Sequence, residues 1–298
     1  MNQGTVGFIG LGAMGMPMAV NIAKQGQLKS VYNRSAHKTK SLMRQGVMGA
    51  ASPAALAGEV EFIVIMVTGP DALEEVVFGA AGLLQGVSPG QTVIQMSTVS
   101  PESTIKCAQA FAQAQVDFID APVSGTVAPA QAGKLVILAG AQAAVLEKAR
   151  PVLGSLGSRI VHCGEVGAGT KMKLAVNLLL AGMMQGLSEA MVFAQKMGLD
   201  VNDLLSSLEG GAMAAPLFSL KGKAITQGQF SKAFPIDLVA KDLSLLLDAA
   251  QQSRIQLPQS EVNLKAYQEA QAQGWGDEDI AAVIKPLEKQ AQVSVRRS

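Results

Sequence analysis

The residue types whose spacing most clearly indicates chemistry lie between Thr5 and Gly15. A short apolar run leads there into Gly-x-Gly-x-x-Gly, and a helical pattern follows. In this order Gly10 permits a tight turn, Gly12 lets the backbone approach a phosphate, and Gly15 allows close packing of helix on strand. The exposed N–H groups and the helix dipole then favour negative charge. The stretch predicts a dinucleotide site, with a plain structural turn as the alternative; the predicted binding residues are Gly10, Leu11, Gly12, Ala13, Met14 and Gly15.

The end of the second predicted strand indicates which nicotinamide dinucleotide would bind. NAD enzymes usually carry Asp or Glu at this point, where it accepts hydrogen bonds from the adenosine ribose. This chain has the neutral Asn33 followed by Arg34, whose guanidinium offers a planar set of donors to a 2′-phosphate. Ser35 adds a hydroxyl, and Lys38 follows one helical turn beyond Arg34. The pattern favours NADP(H), and a solvated basic corner is the alternative.

Two further polar turns follow predicted strands, at the carboxyl edge where parallel sheets place their ligands. In the first turn, Ser100 precedes Pro101 and predicts a helix N-cap, which leaves Thr98 facing a cleft. The second turn, Ser124-Gly125-Thr126, follows Asp120 closely and combines hydroxyls with backbone N–H groups. Such a turn can hold a carboxylate, although an ordinary turn has the same composition.

A third cluster opens the longest helical pattern, at residues 167–177. Helical spacing places Lys173 and Asn177 one turn apart on the same face. A lysine within an apolar stretch loses solvation when it is charged, which suits it to proton transfer. The alternative is a solvated surface lysine, and we keep that interpretation for Lys171.

The predicted secondary structure that would position these residues changes near residue 165, from alternating strands and helices to helices alone. Before it, apolar runs at 5–9, 30–32, 61–67, 92–96, 116–119 and 134–139 alternate with helical patterns. This alternation predicts a mainly parallel sheet covered by helices on both faces. After it, helical patterns continue over 171–196, 201–208, 236–253 and 258–273. We therefore predict an α/β Rossmann-type dinucleotide-binding domain over 1–165, followed by an all-α domain over 166–298 for substrate binding and oligomerisation.

Composition limits the classes of protein that fit. The chain has 298 residues and a formal net charge of +1, which indicates neither nucleic-acid binding nor a basic membrane surface. Cys107 and Cys163 are far apart and show no metal-ligand spacing, so we expect reduced thiols, no metal and a cytoplasmic protein. The first residues carry no leader pattern, which favours the same compartment. We expect the tail 293–298 to be frayed.

The apolar segment 174–194 has about the length of a membrane-spanning helix. Asn177, Gln185, Ser188 and Glu189 interrupt it, and a charge near its lipid-buried end would be costly. A helix buried between domains or subunits has the same pattern, so we expect no membrane partner.

In this order and at these separations, the clusters resemble the β-hydroxyacid dehydrogenase family over essentially the whole chain. That family includes 3-hydroxyisobutyrate, tartronate semialdehyde and glyoxylate/succinic semialdehyde reductases. The matching motifs are residues 8–19, residues 120–125, and Gly167-x-Gly169 followed by Lys173 and Asn177. Many members have a second Gly after Ser-Gly in the substrate loop, whereas this chain has Thr126 and then Pro129. These two residues are more similar to the glyoxylate/succinic semialdehyde reductase branch, which typically uses NADPH.

The resemblance implies a role for each matching residue. Lys173 would donate the proton to the substrate's carbonyl oxygen, and Asn177 would bind substrate or orient the lysine. The residues implied to contact substrate are Thr98, Ser124, Gly125, Thr126, Phe234 and Asp242. Thr98 and Lys241 would also lie near the cofactor.

The implied activity is NADPH-dependent reduction of a small aldehyde that bears a carboxylate. Succinic semialdehyde would give 4-hydroxybutyrate, and glyoxylate would give glycolate. The alternatives are a 3-hydroxyisobutyrate or tartronate semialdehyde type of dehydrogenase, an imine reductase, and a non-catalytic NADP-binding scaffold. The apolar helical half needs burial, which predicts a homodimer or homotetramer.

Overall fold

The computed structural model describes residues 4–58 and 60–295. The chain divides into two compact units, Met1–Lys173 and Leu174–Ser298. The first is an α/β unit and the second is helical, which confirms the predicted fold class. The predicted boundary at residue 165 precedes this division, because the helix that begins at Ala168 makes its first contacts with the sheet of the α/β unit.

The described strands of the α/β unit form one nine-stranded sheet with the order β3-β2-β1-β4-β5-β6-β8-β7, and β9 pairs with β8. The strands are β1 Val6–Ile9, β2 Leu28–Tyr32, β3 Met48–Gly49, β4 Phe62–Ile65, β5 Thr92–Gln95, β6 Asp117–Asp120, β7 Val123–Ser124, β8 Leu135–Gly140 and β9 Gly157–Gly164. From β3 across to β6 the pairing is parallel, whereas β8 runs antiparallel to β6. The carboxyl ends of the parallel strands therefore meet at one edge, where such sheets bind ligands.

Helices cover both faces of this sheet because side chains alternate along each strand. Phe62 and Val64 join a core with the helices at 15–24 and 143–154, while Ile63 and Ile65 join a second core with the helices at 70–78 and 101–113. The α-helices of this unit are α1 Gly15–Lys24, α2 Lys40–Met43, α3 Pro53–Ala57, α4 Pro70–Phe78, α5 Pro101–Gln113, α6 Val127–Gln131 and α7 Ala143–Gly154. Short 3-10 helices span Ala36–Thr39 and Leu83–Gln85.

The helical unit is built around the far part of α8, which begins at the end of the α/β unit. Its helices are α8 Ala168–Lys196, α9 Val201–Glu209, α10 Pro216–Thr226, α11 Ile236–Gln252, α12 Pro258–Ala272 and α13 Ile284–Ala291, with a 3-10 helix at Ile280–Val283. Their apolar faces share one core that includes Met184, Leu243 and Tyr267. The buried hydroxyl of Tyr267 donates a hydrogen bond to the carbonyl oxygen of Ala181 at 3.2 Å.

Helix α8 is long and apolar enough, by length and composition alone, to cross a membrane. One face of it lies in the core of the helical unit, with Met184 and Met191 fully buried. Its exposed side chains include Leu179 and Phe193. The apolar residues on the buried face of α8 are thus those of a core helix.

Some elements differ from the sequence predictions. Strand β9 and helices α10 and α13 were not predicted, since β9 exposes much of its length at the sheet edge and carries few strong strand formers. The prediction of a frayed tail is wrong for residues 293–295. Val295 is buried, and its N–H donates to Oε1 of Glu288 at 2.8 Å. Residues 296–298 lie outside the described residues.

Candidate active site

The glycine-rich turn between β1 and α1 has the shape that a phosphate needs. Gly10 has φ +98°, and a Cβ there would overlap the carbonyl oxygen of Met66. A Cβ at Gly15 would overlap the carbonyl oxygen of Gly10, whereas a Cβ at Gly12 would meet no heavy atom within 4 Å. The first and third glycines are therefore required by the fold, and the second leaves open space beside the turn.

The amino end of α1 fits an anionic ligand. No side chain caps it. The N–H of Met16 donates to the carbonyl oxygen of Gly12 at 3.0 Å and Pro17 has no N–H, so the amides that suit a phosphate are those of the turn itself, at residues 12–15. Leu11 is buried, while Gly12 and Ala13 are exposed and Met14 is half-buried. The residues present thus fit a dinucleotide pyrophosphate held by backbone amides.

Asn33 has a structural role that its sequence position did not reveal. Its Oδ1 accepts the N–H of Leu11 at 2.8 Å, and its Nδ2 donates to the carbonyl oxygen of Ser35 at 3.0 Å. Asn33 therefore fixes the glycine-rich turn against the end of β2. Arg34, Ser35 and Lys38 are exposed beside it, so this corner offers a guanidinium, a hydroxyl and an ammonium group to a 2′-phosphate.

The turn after β5 divides its hydroxyl groups between structural and candidate ligand roles. The Ser97 hydroxyl accepts the N–H of Val67 at 2.8 Å. The Ser100 hydroxyl accepts the N–H of Ser103 at 3.0 Å and caps α5, which confirms the predicted cap. Thr98 lies between these two serines and is half-buried.

The predicted substrate turn follows β6 by way of the short strand β7. Ser124 ends β7, Gly125 has φ +137°, and Thr126 is the N-cap residue of α6, although its side chain makes no capping hydrogen bond. A Cβ at Gly125 would lie 2.8 Å from Cδ2 of Leu135, so both its conformation and its surroundings favour glycine. Ser124 and Thr126 are half-buried, which leaves two hydroxyls on either side of an exposed backbone segment.

Asp120, at the end of β6, is fully buried and holds the start of α8. Its Oδ1 accepts the N–H of Gly167 at 2.8 Å, and its Oδ2 accepts the N–H of Thr170 at 2.6 Å. Burial raises the pKa of Asp120 to about 6, and the two backbone hydrogen bonds oppose this rise. In the sequence Asp120 is visible only as part of a motif, since these contacts join distant parts of the chain.

The first two turns of α8 distinguish its lysines. Lys171 is exposed, whereas Lys173 is 8% exposed and Asn177, one turn later, is 6% exposed. The surface interpretation therefore holds for Lys171 and fails for Lys173. A buried ammonium group is rare in proteins without a paired or functional role.

Within the helical unit, Asn177 belongs to a polar chain that reaches α11. Its Nδ2 donates to Oδ2 of Asp242 at 2.6 Å, and Oδ1 of Asp242 lies 2.9 Å from Nζ of Lys241. Among the described residues, the buried Oδ1 of Asn177 has no hydrogen-bond partner. Asp242 thus orients the Asn177 amide so that its oxygen remains as an acceptor. The structure brings these three predicted residues together.

Phe234 is fixed by a buried ion pair that sequence analysis missed. Its N–H donates to Oδ2 of Asp279 at 3.2 Å, and Oδ1 of Asp279 accepts Nζ of Lys221 at 2.6 Å. The same Oδ1 accepts the N–H of Ala281 at 3.1 Å. Residues 221 and 279 lie on separate elements without a motif, so no sequence signal links them to Phe234.

Each unit thus carries its own set of candidate groups. The α/β unit has the phosphate-binding turn, the basic corner, two hydroxyl-bearing turns and Lys173, and the helical unit has Asn177, Lys241 and Asp242. Within the described residues, no group of three His, Cys, Asp or Glu side chains could hold a metal ion. The chemistry available to these groups is hydrogen bonding, charge and proton transfer.

Comparisons with known proteins match this arrangement. A family model described as the NAD binding domain of 6-phosphogluconate dehydrogenase matches residues 5–164. A second model, described as the NAD-binding of NADP-dependent 3-hydroxyisobutyrate dehydrogenase, matches residues 167–287.

Similar individual proteins cover nearly the whole chain. Glyoxylate/succinic semialdehyde reductase 1 of Arabidopsis thaliana is 36% identical over 95% of this chain and 98% of its own length. The 2-(hydroxymethyl)glutarate dehydrogenase of Eubacterium barkeri is 36% identical over 97% of both chains. The crystal structure of a 3-hydroxyisobutyrate dehydrogenase from Salmonella typhimurium has a TM-score of 0.84 at 29% identity, covering 95% of this chain and 99% of that one.

Proposed function

The chain belongs to the β-hydroxyacid dehydrogenase family, and from this premise we propose that it reduces small aldehydes that carry a carboxylate, with NADPH as reductant. The proposed substrates are succinic semialdehyde, which gives 4-hydroxybutyrate, and glyoxylate, which gives glycolate. Membership confirms the coarser predictions: an oxidoreductase of hydroxyacids or aldehydes, with NADP(H) as cofactor. The named activity of the Arabidopsis thaliana relative supports the choice of aldehydes.

The burial of Lys173, one helical turn from Asn177, is the observation that carries this proposal. Bound NADPH supplies a hydride to the carbonyl carbon of the substrate. Lys173, as its ammonium form, gives a proton to the carbonyl oxygen as the C=O π bond breaks, and it then regains a proton from solvent. The oriented amide of Asn177 offers an acceptor for the new hydroxyl or for the lysine ammonium group.

The substrate carboxylate is assigned to the turn Ser124-Gly125-Thr126. Its two hydroxyls flank a backbone segment in which glycine removes the side chain that would shield the N–H groups. A carboxylate accepts several hydrogen bonds at once, so such a turn binds it without a dedicated cation. Thr98, half-buried at the same edge of the sheet, is proposed to contact substrate and nicotinamide.

The preference for NADPH over NADH is assigned to the basic corner after β2. Asn33 places no negative charge beside the ribose, and Arg34, Ser35 and Lys38 are exposed donors. We further infer a homodimer or homotetramer, supported by the exposed apolar side chains of Leu179 and Phe193 on α8. Both cysteines are free of disulfides, which supports a cytoplasmic location.

Two lysines on the same helix provide a matched test. Lys173→Ala should lower kcat for NADPH-dependent reduction of succinic semialdehyde by about 100- to 10,000-fold, the usual contribution of a general acid. Lys171→Ala removes the same charge from an exposed position and should leave kcat within about 2-fold of wild type. Absorbance of NADPH gives the rates, and circular dichroism checks that both variants are folded.

The substrate panel decides between the proposed activity and its alternatives. The proposal expects NADPH with succinic semialdehyde or glyoxylate to exceed every other combination in kcat/KM. Faster oxidation of 3-hydroxyisobutyrate with NAD would replace it with the alternative dehydrogenase, and reduction of imines alone would make the chain an imine reductase. No turnover with any of these compounds, while NADPH still binds, would indicate a scaffold.

A further inference from the structure

We propose that Asp120 is a positioning residue: its carboxylate fixes the first turn of α8 and thereby sets the place from which Lys173 delivers its proton. The proposal rests on the proposed function, because it takes Lys173 as the proton donor. Asp120 itself would touch neither substrate nor cofactor. Its effect would pass through three residues of helix backbone.

The contacts of Asp120 are directed at the amide groups that a helix leaves unpaired. The first N–H groups of an α-helix have no partner inside the helix. Oδ1 of Asp120 accepts the N–H of Gly167, just before the helix, and Oδ2 accepts that of Thr170, in its first turn. Each carboxylate oxygen therefore holds a different point of the same turn, which restrains its rotation as well as its position.

This cap is tertiary rather than local. Helices are commonly capped by the side chain of the residue that precedes them. Here that residue is Gly167, which has no side chain, and the acceptor comes instead from strand β6, 47 residues away. A local cap would move together with its helix, whereas Asp120 ties the helix to the sheet that carries the substrate turn.

Gly140 and Gly169 allow close approach of the backbone to the carboxylate of Asp120. A Cβ at Gly140 would overlap Oδ1 of Asp120, and a Cβ at Gly169 would lie 2.6 Å from its carbonyl oxygen and 3.0 Å from its Oδ2. Gly169 therefore allows the helix backbone to reach the carboxylate directly, whereas Gly167 is favoured by its own φ of +93°. No larger residue at 140 or 169 could coexist with this approach.

Thr170 adds a second tie to the same turn. Its hydroxyl lies 3.0 Å from that of Thr104 on α5, and both side chains are almost fully buried. Lys173 follows Thr170 by three residues, so its Cα lies nearly one turn above this anchored point. A misplacement of about 1 Å can cost on the order of 100-fold in rate, so anchoring at this distance matters for catalysis.

The test is Asp120→Asn, which keeps the shape of the side chain but offers one acceptor oxygen instead of two. One N–H of the turn then faces an NH₂ group, and the turn should shift. We expect kcat to fall at least about 10-fold, with KM for the aldehyde and Kd for NADPH within about 3-fold of wild type. We also expect a larger solvent deuterium isotope effect on kcat, because proton transfer becomes slower relative to the other steps.

Asp117→Asn is the matched control, at the opposite end of the same strand. Asp117 is about 40% exposed and pairs with Lys148 on the surface, so the identical substitution there should change none of these quantities. Hydrogen exchange of a peptide spanning residues 164–176 gives a readout independent of turnover. It should be faster in Asp120→Asn and unchanged in Asp117→Asn.

Thr170→Val decides the matter if Asp120→Asn does not fold. It keeps the backbone N–H and the side-chain shape but removes the hydroxyl, which also donates to the Asp120 carboxylate. It should therefore lower kcat several-fold with the same rise in isotope effect. Wild-type kcat in a folded Asp120→Asn or, failing that, in Thr170→Val overturns the proposal. So does a raised KM at constant kcat, which would assign Asp120 to the substrate turn. An active wild type with inactive Lys173→Ala retains the proposed function in each of these cases, whereas an inactive wild type overturns both.

Discussion

The two units of this protein bury carboxylates in contrasting ways. In the α/β unit, Asp120 is held by neutral donors, the N–H groups of Gly167 and Thr170. In the helical unit, Asp279 is held by the ammonium group of Lys221 together with backbone N–H groups. Both carboxylates are at most 2% exposed, so the difference lies in the partners and not in the depth of burial.

This difference means that the Asp120 carboxylate is held by neutral N–H groups, whereas the Asp279 carboxylate is balanced by the Lys221 ammonium group. Neutral donors do not fully replace the lost solvation, which is why burial raises the pKa of Asp120 to about 6. In a buried ion pair each charge balances the other, and loss of either partner leaves an uncompensated buried charge. Asp120 should therefore make the free energy of unfolding depend on pH, and the Lys221–Asp279 pair should make it sensitive to the loss of either side chain.

The largest expected effect comes from breaking the ion pair of the helical unit. Lys221→Met leaves Asp279 buried without its cation and should lower the free energy of unfolding by about 3–5 kcal/mol. Urea denaturation measures this loss. Lys106→Met is the control, since the pair Lys106–Glu74 has side chains 57% and 50% exposed and its loss should cost at most about 1 kcal/mol. Equal losses of unfolding free energy in the two variants would contradict the special importance of the buried pair Lys221–Asp279.

The next effect is the pH dependence of Asp120. Its folded-state pKa of about 6 exceeds its ordinary value of 3.8, so the folded protein binds more protons than the unfolded chain between these values. The contribution of Asp120 to stability is therefore lost as pH rises through this interval, by roughly 3 kcal/mol in total. Urea denaturation from about pH 4 to about pH 7 should show this decline in wild type relative to Asp120→Asn. Asp117→Asn should follow wild type, and parallel pH profiles for wild type and Asp120→Asn would contradict the argument.

A smaller effect tests whether Arg34 of the basic corner binds the 2′-phosphate of NADPH. Arg34→Asp replaces an exposed cation of the basic corner with an anion and should lower the ratio of kcat/KM for NADPH to that for NADH. One charge-assisted hydrogen bond contributes about 1.5–3 kcal/mol, so the expected decrease is about 10- to 100-fold. Arg159→Asp, an identical change at an exposed position of β9, should leave the ratio unchanged. An unchanged ratio in Arg34→Asp would exclude Arg34 as the phosphate-binding residue.

The smallest effect on stability is expected at Gly12. A Cβ there meets nothing within 4 Å, so Gly12→Ala should change the free energy of unfolding by less than about 1 kcal/mol. It should nevertheless weaken NADPH binding, because the methyl group occupies the space that a phosphate would take. Fluorescence titration with NADPH measures this. Gly154→Ala, equally open at the end of α7, should leave NADPH binding as it is; a stable Gly12→Ala with normal binding would place the phosphates elsewhere.

Local features of the structure were predictable from the sequence. The turn at Gly10–Gly15 and the cap at Ser100 follow from residues within a few positions of one another, and the strands β1, β4 and β5 from short apolar runs. Strand β9 was missed, because an edge strand that is partly exposed lacks a continuous apolar run. The buried position of Val295 was not predicted either, since its acceptor Glu288 belongs to a helix that was not predicted.

The sequence by itself determined the family, the two-part architecture, the cofactor class and the candidate residues, because these depend on motifs that are contiguous or periodic. Only the tertiary structure decided that Lys173 is buried and Lys171 exposed, that Asn33 holds the glycine-rich turn, and that Asp120 reaches the start of α8. The partners of Asp120, Asn177 and Lys221 lie 47 to 65 residues away along the chain. Contacts over such separations depend on how the elements pack, which no local pattern of residues encodes.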